Sequence, residues 1–564
     1  MNIRNFFNRE FNVVASAAVV IGFFSFVAKI LGLLRNRILA GEFGAGDALD
    51  AYFAAFRVPD FIYNILVIGI LTSVFIPVFA EYLARDKESA RKLLNVVLTV
   101  FAALLIVFSV IAIIFMPTLM SFVAYGFDAE KMRLAVALSR IMFLSPILLG
   151  ISNILSNVLQ AHKMFFSFAL APVLYNIGII VGALFLVRPF GVAGLALGVV
   201  LGAFLHFLIQ LPPLARLGFK FRLIFDWAHP GLKKIVWLSL PRTVGLAAYQ
   251  INFIVITAIA SAISSGSISV FNFANDLQYV PIGIVALSFI SAVFPSLSAR
   301  YAKNDISGFL DEFYLTVNQI LYLVIPISVF LILERAQIVR VVLGYGQFSW
   351  EDTRLTAAAL GAFALSIFAQ SLVPLFSRAF YAIQDTKTPI LINVVSAALN
   401  IFFSFYFLSL LKAGGAFADF VAAVFKISDL NDIAVIALPL AFSASGIINF
   451  LWLYFAFSNR INAFDSSKIL YSLLRINAAS ALMAIAVYPA LYLTAMIVDT
   501  HTFFGIFAQG AAAFLVGTAV YVLASFIFKI PEFFVFWNLF TLPVKRIFLS
   551  RLFPIKDPLQ DNLS

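Results

Sequence analysis

Lys29, Arg35, Arg37, Asp50, Arg57 and Asp60 all lie within the first sixty residues, in stretches that are otherwise mostly apolar. An ionisable side chain inside an apolar span is costly, so it faces a partner, a water-filled cavity or the nearest interface. Asp50, Arg57 and Asn64 are spaced by seven, which places them near one helical stripe. Lys29 and Asn36 share a stripe in the same way. Two such stripes on successive helices would line one cavity wall. A net positive wall suits a phosphate-bearing anion, because guanidinium groups grip phosphate in bidentate fashion. A plainer alternative stays open for Arg35, Arg37, Asp60 and Arg378, whose stems can carry their charges to an interface. It fits Asp50 and Arg57 less well, since they share a stripe.

Other chemistries find little support. Cysteine is absent, which excludes disulfides, thiolate metal sites and a cysteine nucleophile. His162, His206, His229 and His501 are scattered without ligand spacing, so no metal site is expected. The segment Gly41 to Gly46 (GEFGAG) is neither preceded by a strand nor followed by Lys-Ser/Thr, and reads as a turn between helices. No Ser/His/Asp or paired-carboxylate arrangement stands out. No catalytic residues, cofactors or enzymatic chemistry are expected.

The elements that must position these charges follow from composition. The chain has 564 residues, 63% hydrophobic and 12% charged, with a mean hydropathy of +1.03. Soluble chains carry about 25% charged residues. Apolar runs of twenty or more residues recur, each long enough to cross roughly 30 Å of hydrocarbon. Fourteen spans are predicted, at about 12–36, 48–83, 92–116, 133–160, 165–187, 191–214, 233–263, 268–300, 311–334, 354–383, 388–411, 433–458, 468–497 and 503–528. The run after Arg4 and Arg9 is too long for a cleaved signal and reads as the first span. Pro59, Pro241, Pro281 and Pro374 are candidate kinks, because each removes a helical donor.

Loop charge sets the orientation. Arg85, Lys87, Arg91 and Lys92 cluster in one loop, and Arg216, Lys220, Arg222, Lys233 and Lys234 in another. The tail adds Lys529, Lys545, Arg546, Arg551 and Lys556. With fourteen spans these fall on the side of the N-terminus, so both termini are expected in the cytoplasm. The net charge of +11 is assigned to these loops and to anionic lipid heads, not to nucleic acid. The outer excursion from Leu411 to Asp432 reads either as a short amphipathic helix or as a loose loop.

The chain also resembles itself. Ile76-Pro77 through Asp86 is similar to Phe294-Pro295 through Asn304, with prolines 218 residues apart. Gln160-Ala161-His162-Lys163 and Gln384-Asp385-Thr386-Lys387 form a second pair, offset by 224. An even number of spans lies in that offset, so the halves would run parallel, an arrangement found in transporters with the substrate site between the halves. The expected fold is an all-α polytopic membrane protein of about 14 transmembrane helices, with two six-helix lobes in parallel pseudo-repeat plus two C-terminal helices. The expected divisions are 1–214 (N-terminal lobe), 215–232 (cytoplasmic linker), 233–458 (C-terminal lobe), 459–530 (two further helices) and 531–564 (cytoplasmic interfacial tail).

Several motifs in order resemble one family. Leu31-Gly32 with Arg35, Phe43-Gly44-Ala45-Gly46, Asp50-Ala51-Tyr52-Phe53, Phe56-Arg57-Val58-Pro59 and Phe75-Ile76-Pro77 resemble the N-terminal signature of MurJ/MviN proteins. Pro295-Ser296-Leu297-Ser298, Tyr345-Gly346-Gln347-Phe348 and the decapeptide Phe380 to Pro389 continue the resemblance. It implies fourteen helices, two lobes around a cationic cavity, and flipping of lipid II, the undecaprenyl-diphosphate-linked peptidoglycan precursor, across a bacterial inner membrane. It also implies membership of a wider superfamily of multidrug and oligosaccharide-lipid exporters. The chain departs from the pattern at several points. The family's early Arg is Lys29, its Arg-Asp pair is Arg35-Asn36, its double Arg after Pro59 is Tyr63-Asn64, and a later Arg is Asp276. Arg242, directly after Pro241, lies outside the family pattern and is expected to enter the cavity as partial compensation. The expected cavity residues are therefore Lys29, Arg35, Asp50, Arg57, Asn64, Arg242 and Asp276, with the diphosphate on Lys29, Arg35 and Arg57. Lipid II and membrane lipids are the expected partners, with wall-synthesis proteins as a further class. A cation-coupled exporter of another solute, favoured by Asp276, and a non-transporting wall-synthesis scaffold are the alternatives.

Overall fold

A computed structural model describes residues 14–70, 74–430, 432–461 and 463–538, without the side chains of 14–18, 241 and 242. All regular structure in the described residues is helical. The first six spans are α1 (Val14–Phe43), α2 (Asp47–Gly69), α3 (Lys87–Ile114), α4 (Ala129–Ala161), α5 (Phe165–Phe190) and α6 (Ala193–Arg216). Then come α7 (Pro230–Ser261), α8 (Ser267–Ala302), α9 (Ile306–Leu333) and α10 (Trp350–Ala364 resumed as Ile367–Ala382). The last four are α11 (Lys387–Ala413), α12 (Ala434–Arg460), α13 (Ser467–Ala495) and α14 (Phe503–Ile527). Thirteen are long and apolar enough to cross a bilayer, and the interrupted α10 makes fourteen, as the hydropathy of the sequence predicts.

Helix starts follow local chemistry. Asp86 caps α3 by accepting from Ser89 N at 2.7 Å, Asp128 caps α4 through Glu130 N and Lys131 N, and Thr502 caps α14 through Gly505 N. Pro230 opens α7, where its missing N–H is no loss. The second predicted span is shorter than expected: α2 ends at Gly69, and a separate helix, Phe75–Arg85, covers the remainder. The 411–432 excursion contains a helix, Ala416–Phe425, closed by Lys426 in the left-handed conformation at φ +57°. Most of the basic tail, residues 539–564, lies outside the described residues, as do Arg4 and Arg9.

The chain packs as two compact units. One comprises Met1–Val280, Ile338–Phe363 and Ile390–Asn449; the other comprises Pro281–Gln337, Ala364–Pro389 and Phe450–Ser564. In the first, Phe79, Phe101, Leu105, Val158 and Leu232 share one buried cluster. In the second, Phe313 meets Phe376 and Phe457 at ring separations of 5.1 and 5.0 Å, and Phe457 meets Phe380 at 5.2 Å. The Phe313–Phe376 and Phe380–Phe457 pairs meet edge-on, and such pairs add to their area burial.

Three short π-helical turns interrupt the α-helical ladder, at Asn64–Gly69, Gly182–Leu186 and Ile282–Ala286. The first and third begin 218 residues apart, the offset of the paired prolines, so the local backbone repeats along with the sequence. The second repeat pair requires a correction. Lys163 and Gln384 are the left-handed residues that close α4 and α10, each with the same pair of closing bonds: Lys163 N to Gln160 O and Met164 N to Leu159 O, then Gln384 N to Tyr381 O and Asp385 N to Phe380 O. Equivalent positions are therefore 221 apart. Matching Gln160 to Gln384 pairs a residue of the last helical turn with one already past it.

The 411–432 excursion is tied down by charge. Arg354 donates to both carboxylate oxygens of Asp429 and to the carbonyl of Lys426. The guanidinium pulls the Asp429 carboxyl down from 3.8 to about 2. A depressed carboxylate stabilises above its unfolded value and loses that contribution as pH falls toward its folded value. Hydrogen–deuterium exchange should therefore show protection of 416–427 that holds at neutral and mildly acidic pH and drops only below about pH 4. Arg354→Gln should lower it at neutral pH as well, whereas equal protection in the variant would make the tie dispensable.

Candidate functional site

The polar residues of α1 and α2 converge on one stripe of α8. Ser269, Asn272 and Asp276 follow one another at three and four residues, so they share a helix face. Each meets a residue from an earlier helix, and all of the residues involved belong to the first compact unit.

Arg57 sits where α2 breaks at Phe56 and restarts. Its Nε donates to Thr257 Oγ1 and its Nη2 to Asn272 Oδ1, both at 2.7 Å. Thr257 and Asn272 are themselves held by bonds to the Phe253 and Ile268 carbonyls. The guanidinium lies 5.6 Å from the Phe253 ring centroid. A guanidinium carries five N–H donors in a rigid fork, and among the described residues only Nε and Nη2 of Arg57 are hydrogen-bonded.

Arg35 is more fully used. Nε and Nη2 donate to Asn36 Oδ1 at 3.1 and 2.9 Å, and Nη1 donates to Asn176 Oδ1 at 3.3 Å. Asn36, buried at 3% exposure, turns its amide to Asp276 Oδ2 at 2.8 Å. Arg35 and Asp276 approach to 3.8 Å. Asp276 thus offsets part of the charge of Arg35 while leaving its own side chain 43% exposed. Lys29, half-buried on α1, has no hydrogen bond or ion pair among the described residues.

Asp50 has a different role from the other charges. It is 1% exposed, and its oxygens accept from Lys131 Nζ at 2.9 Å, Gly266 N at 2.8 Å, Ser269 N at 2.9 Å and Ser269 Oγ at 2.8 Å. Lys131 also reaches Asp47 at 2.6 Å. The carboxylate therefore locks α2 to the start of α4 and the start of α8. It orients a cation, Lys131, which the sequence alone did not single out.

Asn64 is not brought to the α8 stripe. It opens a π turn and donates to the Asp60 carbonyl on its own helix at 2.8 Å. Tyr63 accepts from Asn153 at 2.7 Å. Neutral hydrogen bonds occupy the two positions where a double arginine was expected. The side chain of Arg242 lies outside the described residues. The GEFGAG segment is a packing turn: Gly44 has φ +64°, a Cβ there would come within 2.9 Å of Gln347 O, and Gln347 N donates to Gly41 O. Arg37 is spent on the Val341 carbonyl and the Tyr345 ring. Among the described residues, no group of three or more His, Cys, Asp or Glu gathers for a metal.

Thr257, Ser269, Asn272 and Asn176 were missed because neutral polar residues in apolar helices seldom stand out. The three-and-four spacing of Ser269, Asn272 and Asp276 was the available signal.

The arrangement resembles known proteins along most of its length. The family model described as "Lipid II flippase MurJ" matches residues 39–508. The chain is 30% identical over 403 residues to a probable lipid II flippase MurJ of Buchnera aphidicola subsp. Schizaphis graminum, covering 70% of this chain and 78% of that one. It is 28% identical over 387 residues to the lipid II flippase MurJ of Burkholderia cenocepacia, covering 67% and 75% respectively. The solved structure of a lipid II flippase MurJ in an inward closed conformation superposes with a TM-score of 0.73 at 26% identity, covering 90% of this chain and 98% of that one. An inward-facing MATE family multidrug resistance transporter shares the fold at 17% identity, with a TM-score of 0.62 over 79% of this chain and 100% of that one. This multi-pass membrane protein belongs to the lipid II flippase MurJ family.

Proposed function

We propose that this chain carries lipid II across the bacterial inner membrane by alternating access, from the cytoplasmic to the outer leaflet, for cell-wall synthesis. The observation that carries this reading is family membership over residues 39–508. The site supplies the chemistry: Arg57 with Nη1 unbonded among the described residues, Arg35 linked through Asn36 to Asp276 one turn along the same α8 stripe, and Lys29 without a partner among the described residues. Together they form the diphosphate-binding wall, and Asp50 acts through Lys131 as a positioning residue. Both termini lie in the cytoplasm by the positive-inside rule. Because the chain lacks cysteine, single cysteines placed within 85–92, at the start of α3, and within 264–269, at the start of α8, report their sidedness directly. A membrane potential supplies about 2.3 kcal/mol per charge per 100 mV for moving a cation-lined cavity.

One observation favours a second reading. The exposed carboxylate of Asp276 beside Arg35 suits cation coupling, as in an exporter of another solute. Complementation of a bacterium depleted of its own lipid II flippase separates the two. Wild type should restore growth, and well-expressed Arg57→Ala should fail, having lost a charge-assisted phosphate contact worth about 1.5–3 kcal/mol. Failure of a correctly inserted wild type would turn the proposal toward the exporter.

A further inference from the structure

Arg91, Lys92, Lys220 and Arg222 line one cavity of about 610 Å³ between the start of α3 and the segment 217–229 that leads into α7. The segment is fixed to α3 through its backbone. Asn95 donates to the Lys220 carbonyl at 3.3 Å and accepts from Arg222 N at 3.1 Å, and Thr99 accepts from Ile224 N at 3.1 Å. Only one carboxylate, Glu88, lines the cavity, 4.0 Å from Arg91. Lys92, Lys220 and Arg222 have no ion pair among the described residues. Four cations around a cavity, with one carboxylate at the edge of ion-pair distance from Arg91, form a site for a multiply bonded anion such as phosphate.

A phosphate could arrive on a soluble molecule or on a lipid, and the rest of the segment decides between them. Phe221, Leu223, Phe225 and Trp227, at every second position, are 62%, 71%, 64% and 56% exposed. In water such a run of bare apolar surface is unfavourable; in the headgroup zone of a bilayer it is buried. Trp227 also opens a second, apolar groove of about 490 Å³, walled by Phe101, Leu104 and Trp237 with Lys233 among its lining residues. The cationic cavity and the apolar groove thus share both the 217–229 segment and α3. We propose that they form a binding site for one anionic glycerophospholipid of the leaflet at this end of the helices, with its phosphate among Arg91, Lys92, Lys220 and Arg222 and an acyl chain in the groove beside Trp227 and Trp237.

The test uses the full chain in detergent, titrated with phosphatidylglycerol or phosphatidylcholine of the same acyl chains and followed by native mass spectrometry. Phosphatidylglycerol should bind preferentially. Lys220→Gln/Arg222→Gln should weaken it about 25-fold, from the usual contribution of two cations at an anionic surface. Both Asn95 bonds use backbone atoms, so these substitutions leave the segment anchored. Phe225→Ser should weaken both lipids, and inorganic phosphate should displace neither. If the double variant is poorly folded, Lys92→Gln on α3 is read in its place. Unchanged preference in a folded variant overturns the proposal, and so does displacement by inorganic phosphate, which would make the cavity a site for soluble anions.

Discussion

Lys131→Met is expected to destabilise the protein by about 3–5 kcal/mol, the usual cost of removing one partner of a buried ion pair. Asp50 is 1% exposed and Lys131 9%, so neither has solvent to fall back on. Methionine keeps much of the apolar stem but leaves the carboxylate with only the Gly266 and Ser269 donors. Asp47 loses the same ammonium, although its 62% exposure lets water replace it. Thermal unfolding of the purified protein in detergent measures the effect, and Asp50→Leu/Lys131→Met should recover part of the loss because it removes both charges. A wild-type melting profile for the single variant would show that the pair does not hold α2, α4 and α8 together.

Gly198→Val should be nearly as damaging, for a steric reason. α5 and α6 approach through glycines spaced by four, Gly178 and Gly182 facing Gly194, Gly198 and Gly202. A Cβ on Gly198 would lie 2.6 Å from the Gly182 Cα, and one on Gly182 would lie 2.5 Å from the Gly198 Cα. Those neighbours are backbone, so no side chain can swing aside and the helices must part. Overpacking costs about 1–3 kcal/mol, and separation also forfeits the close contact that drives helix association where lipid supplies no hydrophobic force. Expression, monodispersity and melting temperature should all fall. Gly245→Ala on α7, with nothing within 4 Å of its added Cβ, should change none of them. Equal behaviour of the two variants would refute the packing account.

The helices were legible because twenty-residue apolar runs leave few alternatives, and Lys29, Arg35 and Arg57 were legible because a charge in such a run is conspicuous. Their partners were not. Lys131 stands at the start of α4 beside Glu130 and Arg133, where it looks like any other loop cation. Its burial comes with the return of Asp47 and Asp50 on α2 and with the Phe127 ring beneath its ammonium. Heptad spacing grouped Asp50, Arg57 and Asn64; the first two meet α8, and Asn64 does not. Asn64 spends its amide on the Asp60 carbonyl of its own helix, just where the backbone enters a π turn. No pattern of residue types in that stretch announces the change.

That π turn also matters for anyone aligning the chain by eye. A turn of this kind holds one residue more than the α-helix around it, and its start at 64 coincides in offset with that at 282. Deleting a single residue from 64–69 would therefore relax the backbone to ordinary α geometry without breaking the helix. Because the π turn absorbs that one extra residue, everything before the deletion and everything after it would keep their faces. Arg57 would stay on Thr257 and Asn272, and the distal end of α2 on its own neighbours. A one-residue gap in the middle of a transmembrane helix, usually dismissed as a misalignment, would in this chain mark the loss of a π turn with the same face still looking inward.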